Sequence, residues 1–177
     1  VLFVGSSSIR MWATREAFPD LPVINRGFGG SHLSEAVHYI EETVLRYRPR
    51  VVVLYSGDND VQDGKSPETV AADFRAFVRR VHAELPRTTI VCLSIKPSAS
   101  RWEAWPRMRA ANELLRAVAR ETERVEFVDV ARPMLGNDGQ PRAELYLDDR
   151  LHLSAAGYEG WARQLGPLLK RLHGENE

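Results

Sequence analysis

The chain has 177 residues, 44% hydrophobic and 27% charged, a composition that suits one soluble globular domain spanning residues 1–177. Lys plus Arg number 24, as do Asp plus Glu, so no net field exists to recruit a nucleic acid or an anionic membrane, and neither partner is expected. A single cysteine, Cys92, excludes an intrachain disulfide, and no run approaches the ~18 apolar residues of a membrane span.

Residues 1–4 (Val-Leu-Phe-Val) read as a strand at the opening of the chain. No initiating Met precedes them, which leaves room for a removed leader; the composition fits a cytoplasmic or a secreted protein alike. Gly5-Ser6-Ser7-Ser8-Ile9 then leads into an amphipathic stretch with Trp12. A second strand is predicted over 22–25, followed by the glycine-rich Arg26-Gly27-Phe28-Gly29-Gly30-Ser31. A helix is predicted over 38–47, with Ile40, Val44 and Tyr47 on one face. The third strand covers 51–55 and opens into Ser56-Gly57-Asp58-Asn59-Asp60.

Residues 67–85 repeat apolar side chains at Val70, Phe74, Phe77, Val78, Val81 and Leu85, a helical stripe with Ser66 as cap and Pro67 in the first turn. A fourth strand over 89–95 precedes a tryptophan-rich loop over 96–106, and a helix is predicted over 108–118. The fifth strand covers 125–130. The final helix spans 158–172, where Gly166-Pro167 is expected to kink it or split it in two. The apolar runs are continuous rather than alternating, as in parallel strands covered on both faces. Strand and helix alternate throughout, which predicts an α/β fold, an open parallel sheet between helical layers. Ligands bind such sheets at the carboxyl ends of the strands.

The loops at those ends carry the unusual residues. A Gly-then-Ser turn from strand into helix aims a hydroxyl and several backbone N–H groups at one small volume. Three glycines in four positions after strand 2 let the backbone approach a ligand closely. Asn59 offers a side-chain amide, and Asp149 stands three residues before His152, a spacing that brings carboxylate and imidazole together in a turn. Each feature alone is ordinary cap or turn chemistry. Together they supply a nucleophile, N–H donors, an amide donor and a base with its orienting acid, the parts that acyl transfer to serine requires.

In these blocks the sequence resembles the SGNH (GDSL-like) hydrolases, and the resemblance covers nearly the whole chain. Gly5-Ser6-Ser7 resembles the family's Gly-Asp-Ser block, Gly30 its oxyanion glycine, Gly57-Asp58-Asn59-Asp60 its Gly-x-Asn-Asp block and Asp149-Arg150-Leu151-His152 its Asp-x-x-His block. One departure is Ser6, where the family usually carries Asp. The resemblance implies a flavodoxin-like three-layer α/β/α sandwich with five parallel strands. It also implies a catalytic set of Ser7, Asp149 and His152, and an oxyanion hole from the Ser7 and Gly30 N–H groups and Asn59. No cofactor is implied. An imidazole base ordinarily titrates near ~6.5, so activity is expected to rise from mildly acidic pH to an alkaline plateau.

Rival readings fare worse. A flavodoxin-like FMN-binding module leaves Asn59, Asp149 and His152 without a role. Gly64-Lys65-Ser66 lacks the first glycine of a phosphate-binding loop, position 59 being Asn. Neither Gly-x-Ser-x-Gly, Ser-x-x-Lys nor His-Glu-x-x-His occurs, and one Cys gives no zinc cluster, so no metal is expected. Asp58 and Asp60 beside Asn59 read as turn structure in preference to a Ca²⁺ site. Trp12, Ser31, Arg101, Trp102 and Trp105 are expected to wall the substrate pocket, and the tryptophan-rich loop is alternatively a subunit contact in a homo-oligomer. With no lid segment between the blocks, the expected substrate is a small acyl or aryl ester. Carbohydrate O-acetyl esters and lysophospholipids are the alternatives the family resemblance leaves open.

Overall fold

The computed structural model describes residues 1–174. Five parallel strands, β1 (Leu2–Gly5), β2 (Ile24–Gly27), β3 (Val51–Tyr55), β4 (Thr89–Leu93) and β5 (Val125–Val128), form one sheet in the order β2-β1-β3-β4-β5. Helices follow in chain order: α1 (Ser7–Arg10) and α2 (Thr14–Ala17) after β1, α3 (Leu33–His38) and α4 (Ile40–Thr43) after β2, α5 (Asp58–Gln62) and α6 (Pro67–Glu84) after β3. Helix α7 (Trp105–Glu121) joins β4 to β5, and α8 (Ala155–Gly174) closes the fold.

The strands look uniformly apolar in sequence because both faces are covered, but their side chains still alternate. Leu2, Val4, Val52, Leu54, Ile90 and Cys92 face one way and pack with Leu33, Phe74, Phe77, Val81, Met108 and Leu115. Phe3, Val53, Tyr55, Val91 and Leu93 face the other way, against Ile9, Trp12, Trp161, Leu165 and Leu169. Two separate cores result, one on each side of a central sheet. Cys92 lies in the first, where burial pushes its thiol up to about 12, so it is a packing residue there.

Strand order reverses between β1 and β3: the chain leaves β1 toward β2 and returns across it to β3. The loops after β1 and β3 therefore diverge from one crevice, the position where open α/β sheets bind ligands. The two strand ends approach each other very closely. Gly5 has φ +139°, and a Cβ there would lie 1.8 Å from the Tyr55 carbonyl oxygen. Only glycine fits, and the next residue uses the proximity, Ser6 donating its N–H to that carbonyl at 3.1 Å.

Several element boundaries differ from those read in the sequence. Strands β4 and β5 end at Leu93 and Val128, and the expected helix over 38–47 is instead α3, α4 and a 3₁₀ turn at Leu45–Tyr47, beginning as early as Leu33. Helix α7 begins at Trp105, with Pro106 in its first turn where no N–H is needed. Helix α8 runs unsplit through Gly166-Pro167. Pro167 is on the exposed face, while Leu165 and Leu169, both wholly buried, hold the helix to the sheet. Among the described residues no helix is long and apolar enough to cross a membrane.

Candidate active site

The C-terminal loop is built by local hydrogen bonds. Tyr146 and Leu153 form an antiparallel bridge, the Leu147 N–H donates to the His152 carbonyl at 2.8 Å, and the Tyr146 hydroxyl donates to the Pro97 carbonyl at 2.7 Å. Inside this closed loop Asp149 Oδ1 accepts the N–H groups of Leu151 and His152, each at 2.9 Å. That turn swings the imidazole back onto the same carboxylate, so that His152 Nδ1 lies 2.6 Å from Asp149 Oδ2. The other ring nitrogen, Nε2, lies 3.1 Å from Ser7 Oγ, 145 residues away in the chain.

The electrostatics follow from this wiring. The His152 hydrogen bond, with the two backbone N–H groups behind it, holds the Asp149 carboxyl down to about 2. An ionised carboxylate only accepts hydrogen bonds, so the proton of a neutral His152 resides on Nδ1 and leaves Nε2 free to accept from the Ser7 hydroxyl. Hydroxyl, imidazole and carboxylate are thus in line, an arrangement that could move a proton from the serine to the ring.

Ser7 opens helix α1 with Ser6 as its cap residue. Among the described residues neither the Ser7 nor the Gly30 N–H is used in a backbone hydrogen bond. Asn59 comes from α5, whose cap residue Gly57 has φ +115° and would drive a Cβ to 2.7 Å from Ile95 Cδ1. The Asn59 Nδ2 donates to the Ser31 carbonyl at 3.0 Å, which ties the amide to the loop carrying Gly30. That loop is anchored by Asp60, fully buried, whose two oxygens take the Leu33 N–H and whose Oδ1 also takes Lys65 Nζ at 2.8 Å. Lys65 also reaches Asp73 and Ser34 and so forms an internal brace.

The residues expected to wall a substrate pocket fall in several places. Trp12 is 4% exposed and sits in an aromatic cluster with Phe3, Phe18, Tyr158 and Trp161, so its ring is core. Ser31 is buried, its hydroxyl donating to the Phe28 carbonyl, and is a turn residue. Trp102 and Trp105 stack on each other and line a groove of about 700 Å³ with Arg109, Glu113, Arg116 and Asp129. None of Ser7, Gly30, Asn59 and His152 lines that groove. Arg101, expected in the pocket wall, donates from Nη1 to Asn59 Oδ1 at 2.9 Å and lies 3.5 Å from Asp58 Oδ2.

Sequence reasoning missed the buried ion pair behind this contact. Lys96, 1% exposed, donates to Asp58 Oδ2 at 3.1 Å and to the Tyr55 hydroxyl at 3.3 Å. Burial opposes the charge of Asp58, but Lys96 and Arg101 outweigh it and lower its carboxyl below the usual range. Tyr55 is driven well above its ordinary value by burial and by the Asp58 charge, so its phenol stays protonated. The available signal was a lone lysine directly after the apolar run of β4, a position where a charge is solvated only by other protein groups.

The profile of the GDSL-like Lipase/Acylhydrolase family matches residues 8–159, and the chain belongs to that hydrolase family. The matched span begins one residue beyond Ser7 and takes in Gly30, Asn59, Asp149 and His152. Among solved structures, a Streptococcus pneumoniae protein named for platelet activating factor superposes with a TM-score of 0.87 at 25% identity, over 95% of this chain and 82% of its own. A GDSL-like lipase from Bacteroides thetaiotaomicron gives 0.84 at 19% identity, over 96% of this chain and 87% of its own. A carbohydrate esterase family 3 protein from Talaromyces cellulolyticus gives 0.78 at 17%, over 99% and 97%. The last two likenesses concern the fold alone. A search of curated protein sequences finds no match.

Proposed function

We propose that the chain is a serine esterase that hydrolyses small acyl or aryl esters through an acyl-enzyme on Ser7. The observation that carries this reading is the line Ser7 Oγ–His152 Nε2 at 3.1 Å and His152 Nδ1–Asp149 Oδ2 at 2.6 Å. His152 takes the Ser7 proton as Oγ attacks the ester carbonyl, and the carbonyl oxygen gathers negative charge. The free N–H groups of Ser7 and Gly30 and the Asn59 amide receive that charge. His152 then protonates the departing alcohol, and water repeats the sequence on the acyl-enzyme. The substrate is a small molecule free in solution.

The test is hydrolysis of p-nitrophenyl acetate, butyrate and octanoate by wild type and Ser7→Ala, with an acetylated sugar as a fourth substrate because one fold neighbour is named a carbohydrate esterase. Turnover that vanishes in Ser7→Ala supports the reading, and the order of rates sizes the acyl site. A folded wild type inert on all four, or a Ser7→Ala variant as active as wild type, would sink it.

A further inference from the structure

The Asn59 amide is clamped from a direction that nucleophile and base do not supply. Its oxygen accepts from Arg101 Nη1 at 2.9 Å and its nitrogen donates to the Ser31 carbonyl at 3.0 Å. Arginine offers only donors and a carbonyl only accepts, so the two partners agree on one orientation of the amide and exclude its flip. One Nδ2 proton is spent on Ser31. The second has no hydrogen-bond partner among the described residues.

Arg101 is itself held in place. Its guanidinium lies 3.5 Å from Asp58 Oδ2, which also binds the buried Lys96 at 3.1 Å. One anion set between two cations leaves this cluster with one positive charge in surplus, next to the amide and mostly out of water: the Arg101 side chain is 17% exposed and that of Lys96 1%. A cation on an amide oxygen polarises the group and makes its N–H a stronger donor, an effect amplified where water is excluded.

Building on the esterase reading, we propose that Arg101 is a positioning residue of the oxyanion hole. It locks the Asn59 amide with a proton facing the developing charge and strengthens that donor, braced from behind by Asp58 and Lys96. The benefit arises only when charge develops on the substrate oxygen, so it belongs to kcat and not to KM.

The experiment is a double-mutant cycle of Arg101→Met and Asn59→Ala on the best ester substrate, with Arg101→Lys alongside. It is joined by the ¹⁵N side-chain amide shift of Asn59 in the resting protein. Arg101→Met is expected to lower kcat about ten- to a hundred-fold with KM within about two-fold. It should cost little more once Asn59 is already Ala, because the effect passes through that amide. Arg101→Lys keeps the charge and should recover part of the loss, and the Asn59 resonance should move in Arg101→Met. Equal losses in both backgrounds, a change confined to KM, or no loss of kcat would overturn the proposal while leaving the esterase reading intact. An unmoved Asn59 resonance overturns it even in a protein inert toward esters, a result that would separately sink the esterase reading.

Discussion

Both carboxylate oxygens of Asp60 accept the Leu33 N–H, at 3.1 and 3.0 Å, across 27 residues of chain. The bond joins the helix that carries Asn59 to the start of α3, just past the loop that carries Gly30, and so sets the spacing of two of the three proposed oxyanion donors. Asp60 is fully buried, and Lys65 supplies the balancing charge. Asp60→Ala leaves the Leu33 N–H unsatisfied and is expected to cost about 1–3 kcal/mol of stability. Urea unfolding measures it; a loss below ~0.5 kcal/mol would show that the brace is dispensable.

Ser7 and Asn59 are expected to differ sharply in what their removal costs. Ser7→Ala removes the proposed nucleophile and should lower kcat by on the order of 10⁶. Asn59→Ala removes one of the three proposed oxyanion donors and should lower it by about 10²–10³, leaving measurable turnover. Steady-state kinetics on p-nitrophenyl acetate separate the two, and similar mild losses for both would contradict the assigned roles.

Asp149 gives a prediction with a definite sign in pH. Its folded carboxyl, held to about 2 by His152 and two backbone N–H groups, lies below the ~3.9 of an unfolded aspartate. As pH falls the unfolded chain takes up the proton first, so the stabilisation is complete above ~4 and is lost as pH drops toward about 2. Asp149→Asn should therefore lower the melting temperature at pH 7 and make little difference near pH 2. The carboxylate is 46% exposed, so screening keeps the stability effect small. The catalytic effect is larger: losing the acceptor that fixes the tautomer should lower kcat by on the order of 10²–10⁴. A melting difference that grew on acidification would contradict the assignment.

Trp12 separates core from pocket. With its ring among Phe3, Phe18, Tyr158 and Trp161, Trp12→Ala opens a cavity and is expected to cost about 3–5 kcal/mol. A pocket wall would instead show near-wild-type stability and an altered preference among acetate, butyrate and octanoate esters. Thermal unfolding and the chain-length profile together decide between these outcomes.

The five strands, a parallel sheet with intervening helices and the four motif blocks were legible in the sequence because each rests on short-range chemistry. An apolar run needs two covered faces, and Asp149 and His152 meet within one turn. Helix boundaries were less legible, since burial at Leu165 and Leu169 carries α8 past a proline that local propensity would use as a break. The long side chains were not legible at all. Arg101 reaches Asn59, Lys96 reaches Asp58 and Trp12 turns into the core because of what other elements place beside them. Only the tertiary structure decided those directions: a flexible side chain takes its course from the charges and voids around it. The parallel direction of the strands brings the loops that follow them to one end of the sheet, and the reversal of strand order between β1 and β3 opens the crevice there.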